Sequence, residues 1–326
     1  MDQNLLTWCV LAPASVAVLG SIGCWWIDRK SIPGAVADND EKAFGQDAKQ
    51  ALSLSSAVLA FAWWVAICAG LYSSDSLALW PDEAWARVVW PILAAAVFVS
   101  PHFKPRVELT STRQRVGSDT PGLWVLVGLI AVVAASLVMP TGEGWSDMVS
   151  LHQPWIAAVT SSTACNSFAL YQMSQGGQMS HRGQVSQGGQ MSHRGADRWL
   201  PLVMLAALAS PAIICASAYG ALAQTCLAAI VATSVIAAFA AAGKLLVPAS
   251  LIVPCSLFAA TMIAAGRFYS YAEVAPGAYG LALFTPAIIA LVDRIFTDKS
   301  SAIRIAIAAT TAIVIDGFIA YRFLLS

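Results

Sequence analysis

Residues 199–265 read WLPLVMLAALASPAIICASAYGALAQTCLAAIVATSVIAAFAAAGKLLVPASLIVPCSLFAATMIAA, 67 positions with a single charge, Lys244. A helix needs about 20 apolar residues to cross the hydrocarbon core, so the stretch is too long for two crossings and fits three. Turns are available at Tyr219-Gly220 and at Gly243-Lys244, where glycine suits a helix C-terminus. Lipid offers the backbone no hydrogen-bond partners, so an apolar run of this kind is helical. The run is punctuated by Gly and Pro and does not alternate apolar with polar, which argues against a barrel.

The rest of the chain agrees. Of 326 residues, 58% are apolar and only 11% charged, against roughly a quarter charged in a globular protein. Such a chain lacks the polar surface for water, and the fold class expected is an all-α, polytopic integral membrane protein. Ten spans are expected, roughly 5–26, 52–72, 84–100, 121–139, 154–171, 199–218, 221–241, 245–265, 275–292 and 303–325, forming one membrane domain over 1–326. The third is short, carries Pro91 and starts among Asp82, Glu83 and Arg87; the fifth is the most polar. Only Asp2 precedes the first span, and Arg29-Lys30 follow it, so an anchored helix with its N-terminus outside is expected and not a cleaved leader.

Basic residues set the orientation. Loops 27–51, 101–120 and 172–198, the turn at 242–244 and the connection into the tenth span hold 15 of the 18 Lys and Arg. These are alternate connections, which puts them in the cytoplasm and both termini outside. Arg87, Arg267 and Arg322 remain for the outer side. The expected location is the plasma (inner) membrane. The net charge of zero gives no reason to expect a nucleic-acid partner; the lipid bilayer and another membrane protein are the partners expected.

Residues 174–183 recur unchanged at 186–195 within the Gln-, Ser- and Gly-rich segment 172–198, which reads as a flexible cytoplasmic loop. Met179, His181, Met191 and His193 are too few and too loosely held for a metal site. The seven cysteines all fall inside spans without a CxxC pair, so they read as small apolar residues. All twelve tryptophans occur by Trp199, and the Ala-rich remainder reads as the tighter-packed half. Ten spans divide as five plus five, and Pro13 and Pro211 stand in the first and sixth spans, as paired breaks would in an inverted repeat.

Few residues carry chemistry. Asp316 lies deep in the tenth span, where a carboxylate is costly and faces the bundle or a cavity. Arg322, six residues on, is off its face, so its partner must come from another helix. In the fifth span Thr163 and Ser167 share one face and Ser162 and Asn166 another. Such residues line a polar pathway or tie helices together. The candidate ligand or ion pathway is therefore Asp316, Asn166, Ser162 and Thr163, with helix breaks at Pro13 and Pro211. The segment Gly266–Glu273 is the most functional-looking outer loop, and Glu83 with Arg87 is spaced as a helix-surface pair.

HExxH, GxxxxGK[ST] and GxSxG are absent, and no catalytic, cofactor or metal residues are assigned. Asn39, Asp40 and Asp47 fall on three of the four positions of an NDxxDxxxD motif, with Ala43 at the other. This resembles membrane prenyltransferases, and the resemblance implies carboxylates holding Mg²⁺ against a diphosphate, with one ligand missing. The ten-span plan with both termini outside resembles, in topology, polyprenyl-phosphate sugar-phosphate transferases; of their acidic loop motifs only Asp38, Asn39 and Asp40 have a counterpart. The expected function is a permease-like transporter of a small solute or ion, or else a non-catalytic membrane subunit or scaffold; a membrane-embedded enzyme ranks third. A polar cavity around Asp316 and the fifth span would favour transport. Asp316 capped inside a packed seam would favour the subunit.

Overall fold

The structure is a computed structural model that describes residues 3–37, 41–102, 121–141, 143–176, 196–243, 245, 248–270, 274–296, 299 and 301–324. Every element among them is helical. The repeat at 177–195, and Asp38, Asn39, Asp40 and Asp298, lie outside the described residues. Ten long helices follow one another: α1 (Gln3–Leu6, a π turn Thr7–Leu11, then Ala12–Ala37), α2 (Glu41–Ser73), α3 (Ala84–His102), α4 (Pro121–Val138), α5 (Val149–Gly176), α6 (Ala196–Ala218), α7 (Gly220–Ala241), α8 (the turn Pro248–Leu251 with Ile252–Tyr269), α9 (Pro276–Ile295) and α10 (Ser301–Leu324).

Nine of these, all but α5, are long and apolar enough to cross a membrane among the described residues. Helix α5 has 28 residues, about 42 Å of helix, and falls short only in apolarity. Its polar residues point inward: Ser162, Thr163, Asn166 and Ser167 are all buried, while Ser161 and Cys165 are exposed. A mean over the whole helix does not register which face carries the polar groups.

Three expectations need correction. The loop expected at 27–51 is largely helix, since α1 runs to Ala37 and α2 starts at Glu41. The loop expected at 172–198 is helical at both ends, because α5 continues to Gly176 and α6 begins at Ala196. The eighth span sits at Ala249–Tyr269, four residues later than the apolar run suggested. Gly243 has φ 68° and closes α7 with its amide on the Ala240 carbonyl, as expected of that turn. At the other turn no positive φ is used; Tyr219 is extended and its amide caps the Cys215 carbonyl.

Helix α8 is the axis of the bundle, with its membrane-length window wholly enclosed by other helices, whereas α10 and α1 are the least covered, at 22% and 28%. Ala-rich packing is thus concentrated around α8 and does not extend to the whole second half. Glycines set the closest approaches: a Cβ on Gly266 would lie 2.6 Å from Ile214 Cγ2 of α6, and one on Gly70 would lie 2.8 Å from Ala228 of α7. Trp63 of α2 is fully buried, donates to Thr233 Oγ1 of α7 at 2.9 Å, and makes an edge-to-face contact with Phe258 of α8, 5.7 Å between ring centres.

Helix α3 shows how the bundle absorbs irregularity. Pro91 contributes no N–H, and a π turn follows at Ala95–Val99. The Ser100 hydroxyl donates to the Ala95 carbonyl, and Trp64 of α2 donates to the Val89 carbonyl at 2.9 Å. Side chains thereby take up backbone groups that lipid would leave unpaired.

Candidate functional site

Asp316 finds its partner across a seam. It is half-buried in α10, and the fully buried Ser210 of α6 donates to its Oδ1 at 2.5 Å. Serines within helices commonly return their hydroxyl to their own backbone; Ser210 gives its one proton to the carboxylate. Pro211 is the next residue in α6, so the two candidates Asp316 and Pro211 meet at this seam through Ser210. Around Asp316 the helix faces outward, with Ile313 70% and Val314 65% exposed. Arg322 places its guanidinium over Phe318, 5.7 Å from the ring centre.

Asn166 serves another helix. It is 1% exposed, its Nδ2 donates to the Leu283 carbonyl of α9 at 2.8 Å, and its Oδ1 accepts from the Ala287 amide at 3.1 Å. Residues 283 and 287 are the two ends of one helical rung. Between them stands Pro286, which has no N–H and whose ring crowds the carbonyl of residue 282. The Asn166 amide bridges the rung next to the proline, a side chain entering the ladder where a kink would open.

The remaining candidates part company. Ser162 returns its hydroxyl to the Val159 carbonyl at 3.1 Å. Thr163 and Ser167 are fully buried, and their hydroxyls have no hydrogen-bond partner among the described residues. Neither proposed break interrupts its helix: Pro13 is buried just after the π turn Thr7–Leu11, and Pro211 lies within the continuous Ala196–Ala218. Pro13 is also far from the others in the packing, since α1 lies against α2 and α7.

The segment expected as an outer loop is partly helix, because Gly266 to Tyr269 form the last turn of α8 and 271–273 lie outside the described residues. Its aromatics act as a clasp. Tyr269 packs on Trp145 at 5.5 Å and on Tyr219 at 6.4 Å and meets the Glu83 carboxylate. Arg267 lies 5.9 Å from the ring centre of Tyr279, which is edge-on to Trp155 and Phe323. Arg87 donates to the Pro81 and Asp82 carbonyls and lies 5.3 Å from the ring centre of Trp80, so its hydrogen bonds go to backbone groups rather than to the expected Glu83. Arg87, Arg267 and Arg322, the three basic residues left out of the cytoplasmic set, thus gather at one end of the bundle. Near the other end Arg304 of α10 makes a two-pronged ion pair with the buried Asp293 of α9, Nε to Oδ1 at 2.8 Å.

Three partnerships were not legible in the sequence: Ser210 for Asp316, the Leu283–Ala287 rung beside Pro286 for Asn166, and Asp293 for Arg304. Each pairing crosses between helices, and only the last crosses a short connection. Among the described residues no cluster of His, Cys, Asp or Glu is placed to hold a metal ion. The chain matches no family model, no curated protein and no solved structure with which it was compared.

Proposed function

We propose that the chain is a non-catalytic membrane subunit or scaffold, working through lateral contacts with another membrane protein in the bilayer. The observation that supports this is the use made of its buried polar groups. Asp316 is capped by Ser210 in a packed seam. Asn166 is committed to the α9 backbone. The groups that a mid-membrane site would offer to a solute serve the protein itself. The sparse cover on α10 leaves an apolar face for a neighbouring helix. In this reading α5 is the tenth crossing, both termini lie outside by the distribution of Lys and Arg, and the location is the plasma (inner) membrane.

Gentle detergent extraction from native membranes, with mass spectrometry of what co-purifies, tests the proposal. A stoichiometric membrane-protein partner is expected. A lone chain whose ion- or proton-coupled uptake is lost in Asp316→Asn would overturn it. That outcome would establish the second reading, a permease-like transporter of a small solute or ion, which the unpartnered hydroxyls of Thr163 and Ser167 favour.

A further inference from the structure

Hydroxyls inside this bundle usually return to their own helix. Ser162, Thr225, Thr233, Thr261, Thr285 and Thr311 each donate to a carbonyl three or four residues back. One strip of α5 breaks the pattern. His152 Nε2, Thr160 Oγ1, Thr163 Oγ1 and Ser167 Oγ are all shut off from the surface and have no hydrogen-bond partner among the described residues.

These four share one face. At about 100° per residue and with Thr163 as the reference, Ser167 lies about 40° and Thr160 about 60° to one side, His152 about 20° to the other. Contacts fix what that face meets. Asn166 and Trp155, on one flank, touch α9; Phe168 and Tyr171, on the other, touch Trp124 of α4. Between them His152 lies against Phe268 of α8, 5.5 Å between ring centres. The strip therefore faces α8 and the seam between α8 and α4. Facing side chains there are small: Ala135 of α4 and Ala260 and Ala264 of α8 belong to the same cluster as Val159. Ser256, twelve residues back from Phe268 along α8 and so near the level of Thr163 and Ser167, is buried with its hydroxyl also unpartnered among the described residues. His152 to Ser167 spans about 22 Å of helix, most of a hydrocarbon core of about 30 Å.

A buried polar group without a partner costs about as much as a lost hydrogen bond, and three hydroxyls and an imidazole nitrogen along one strip, with a fourth hydroxyl opposite, compound that cost. Water resolves it, because ordered water in polar interiors bridges otherwise unsatisfied groups. We propose that the α5 strip is a water-filled track between α4, α5 and α8. It begins at His152, near the start of α5, and carries a file of water to the middle of the bundle. The strip itself is hydroxyls and one imidazole, which suits water and protons and carries no carboxylate to hold a cation. The proposal is independent of the subunit reading, since such a half-channel serves a subunit of a proton-handling machine as well as a permease.

Radiolytic hydroxyl-radical footprinting of the full chain in nanodiscs tests it, because radicals made from bound water oxidise the side chains beside it. Val159 and Leu170 flank the strip and are as buried as Leu59 and Ile67 of α2. Val159 and Leu170 should be oxidised several-fold faster than Leu59 and Ile67; equal rates would overturn the proposal. Thr163→Val and Ser167→Ala supply a second sign. With water present, each removes a bonded hydroxyl and the thermal midpoint holds or falls. A dry strip would gain from losing an orphan hydroxyl, so a raised midpoint in either variant also overturns the track. Should a variant fail to fold, the footprint of the unaltered chain still decides.

Discussion

Replacing Asn166 by Leu removes the two hydrogen bonds that bridge Leu283 and Ala287. Two ordinary bonds at a net of about 0.5–1.5 kcal/mol each give roughly 1–3 kcal/mol. Leaving both backbone groups unpaired in the interior would add to this, at about 1–3 kcal/mol per group. Interhelical hydrogen bonds measured in a membrane average only about 0.6 kcal/mol, because the unfolded chain in lipid also finds partners. The expected loss is therefore about 2–3 kcal/mol, above what a surface polar residue would give. The cause can be isolated, since Pro286 stands inside α9 beside the bridged rung and is the residue that would create the need for the bridge. Pro286→Ala returns an N–H to the ladder and lets 283 and 287 pair directly. In that background Asn166→Leu should cost less than about 1 kcal/mol, a coupling of about 1–2 kcal/mol. The assay is a double-mutant cycle on reversible SDS unfolding in mixed micelles followed by tryptophan fluorescence, with Trp155 on the same α5–α9 seam as an internal reporter. Additivity within about 0.5 kcal/mol, or a single-mutant loss inside that margin, would refute the bridging role.

Gly266→Ala should cost about 1–3 kcal/mol by overpacking, because its Cβ would meet Ile214 Cγ2 at 2.6 Å. In an Ile214→Ala background, which removes that Cγ2, Gly266→Ala should add no further loss, and Gly128→Ala, with no atom within 4 Å of its new Cβ, should stabilise slightly; thermal midpoints in detergent give all three. Arg304→Met strands the buried Asp293 carboxylate and should cost about 3–5 kcal/mol. Adding Asp293→Leu should recover most of it in the same assay, and a double variant no better than the single would show that packing, not charge, is lost. Deleting 174–185 should leave insertion and abundance unchanged in a membrane-fraction immunoblot. Although Ser174 is buried and bonded to the Tyr171 carbonyl, residues 186–195 repeat 174–183, so the deletion rebuilds the end of α5; a clear fall in inserted protein would contradict this.

Helix positions were legible because lipid imposes one rule on every crossing, and apolar length obeys it. Two spans were harder to read, each for a specific cause. The apolar run 245–265 placed α8 four residues early, since Arg267 and the aromatics after it looked like loop. Enclosed on every side, α8 is freed from the lipid rule, and its last turn carries Arg267 against Tyr279. Helix α5 looked doubtful as a span, the most polar of the ten, because its polar side chains are counted whichever way they face. The site was legible as residues and not as partners: Asp316 and Asn166 stood out as costly groups, but Ser210 and Pro286 are ordinary in sequence and matter only through the helix opposite.

Placement separates the polar residues of this chain into two kinds. Those at Asp316, Asn166, Trp63 and Arg304 meet a partner from another helix and tie the bundle together. Each is a single side chain meeting matched groups on one facing helix, and for the Arg304–Asp293 ion pair an apolar pair of similar volume would do much of the same work. The α5 strip differs, because His152, Thr160, Thr163 and Ser167 repeat along a face without hydrogen-bond partners among the described residues. Interhelical bonding does not explain them, and solubility does not either, since their polar atoms are sealed from the surface. A helix that needed only to pack against α8 would carry Ala or Val at these positions, as α4 does with Ala131, Ala134, Ala135 and Val138. The strip is where the sequence departs from what stability alone asks, and the sign of the Thr163→Val effect measures that departure directly.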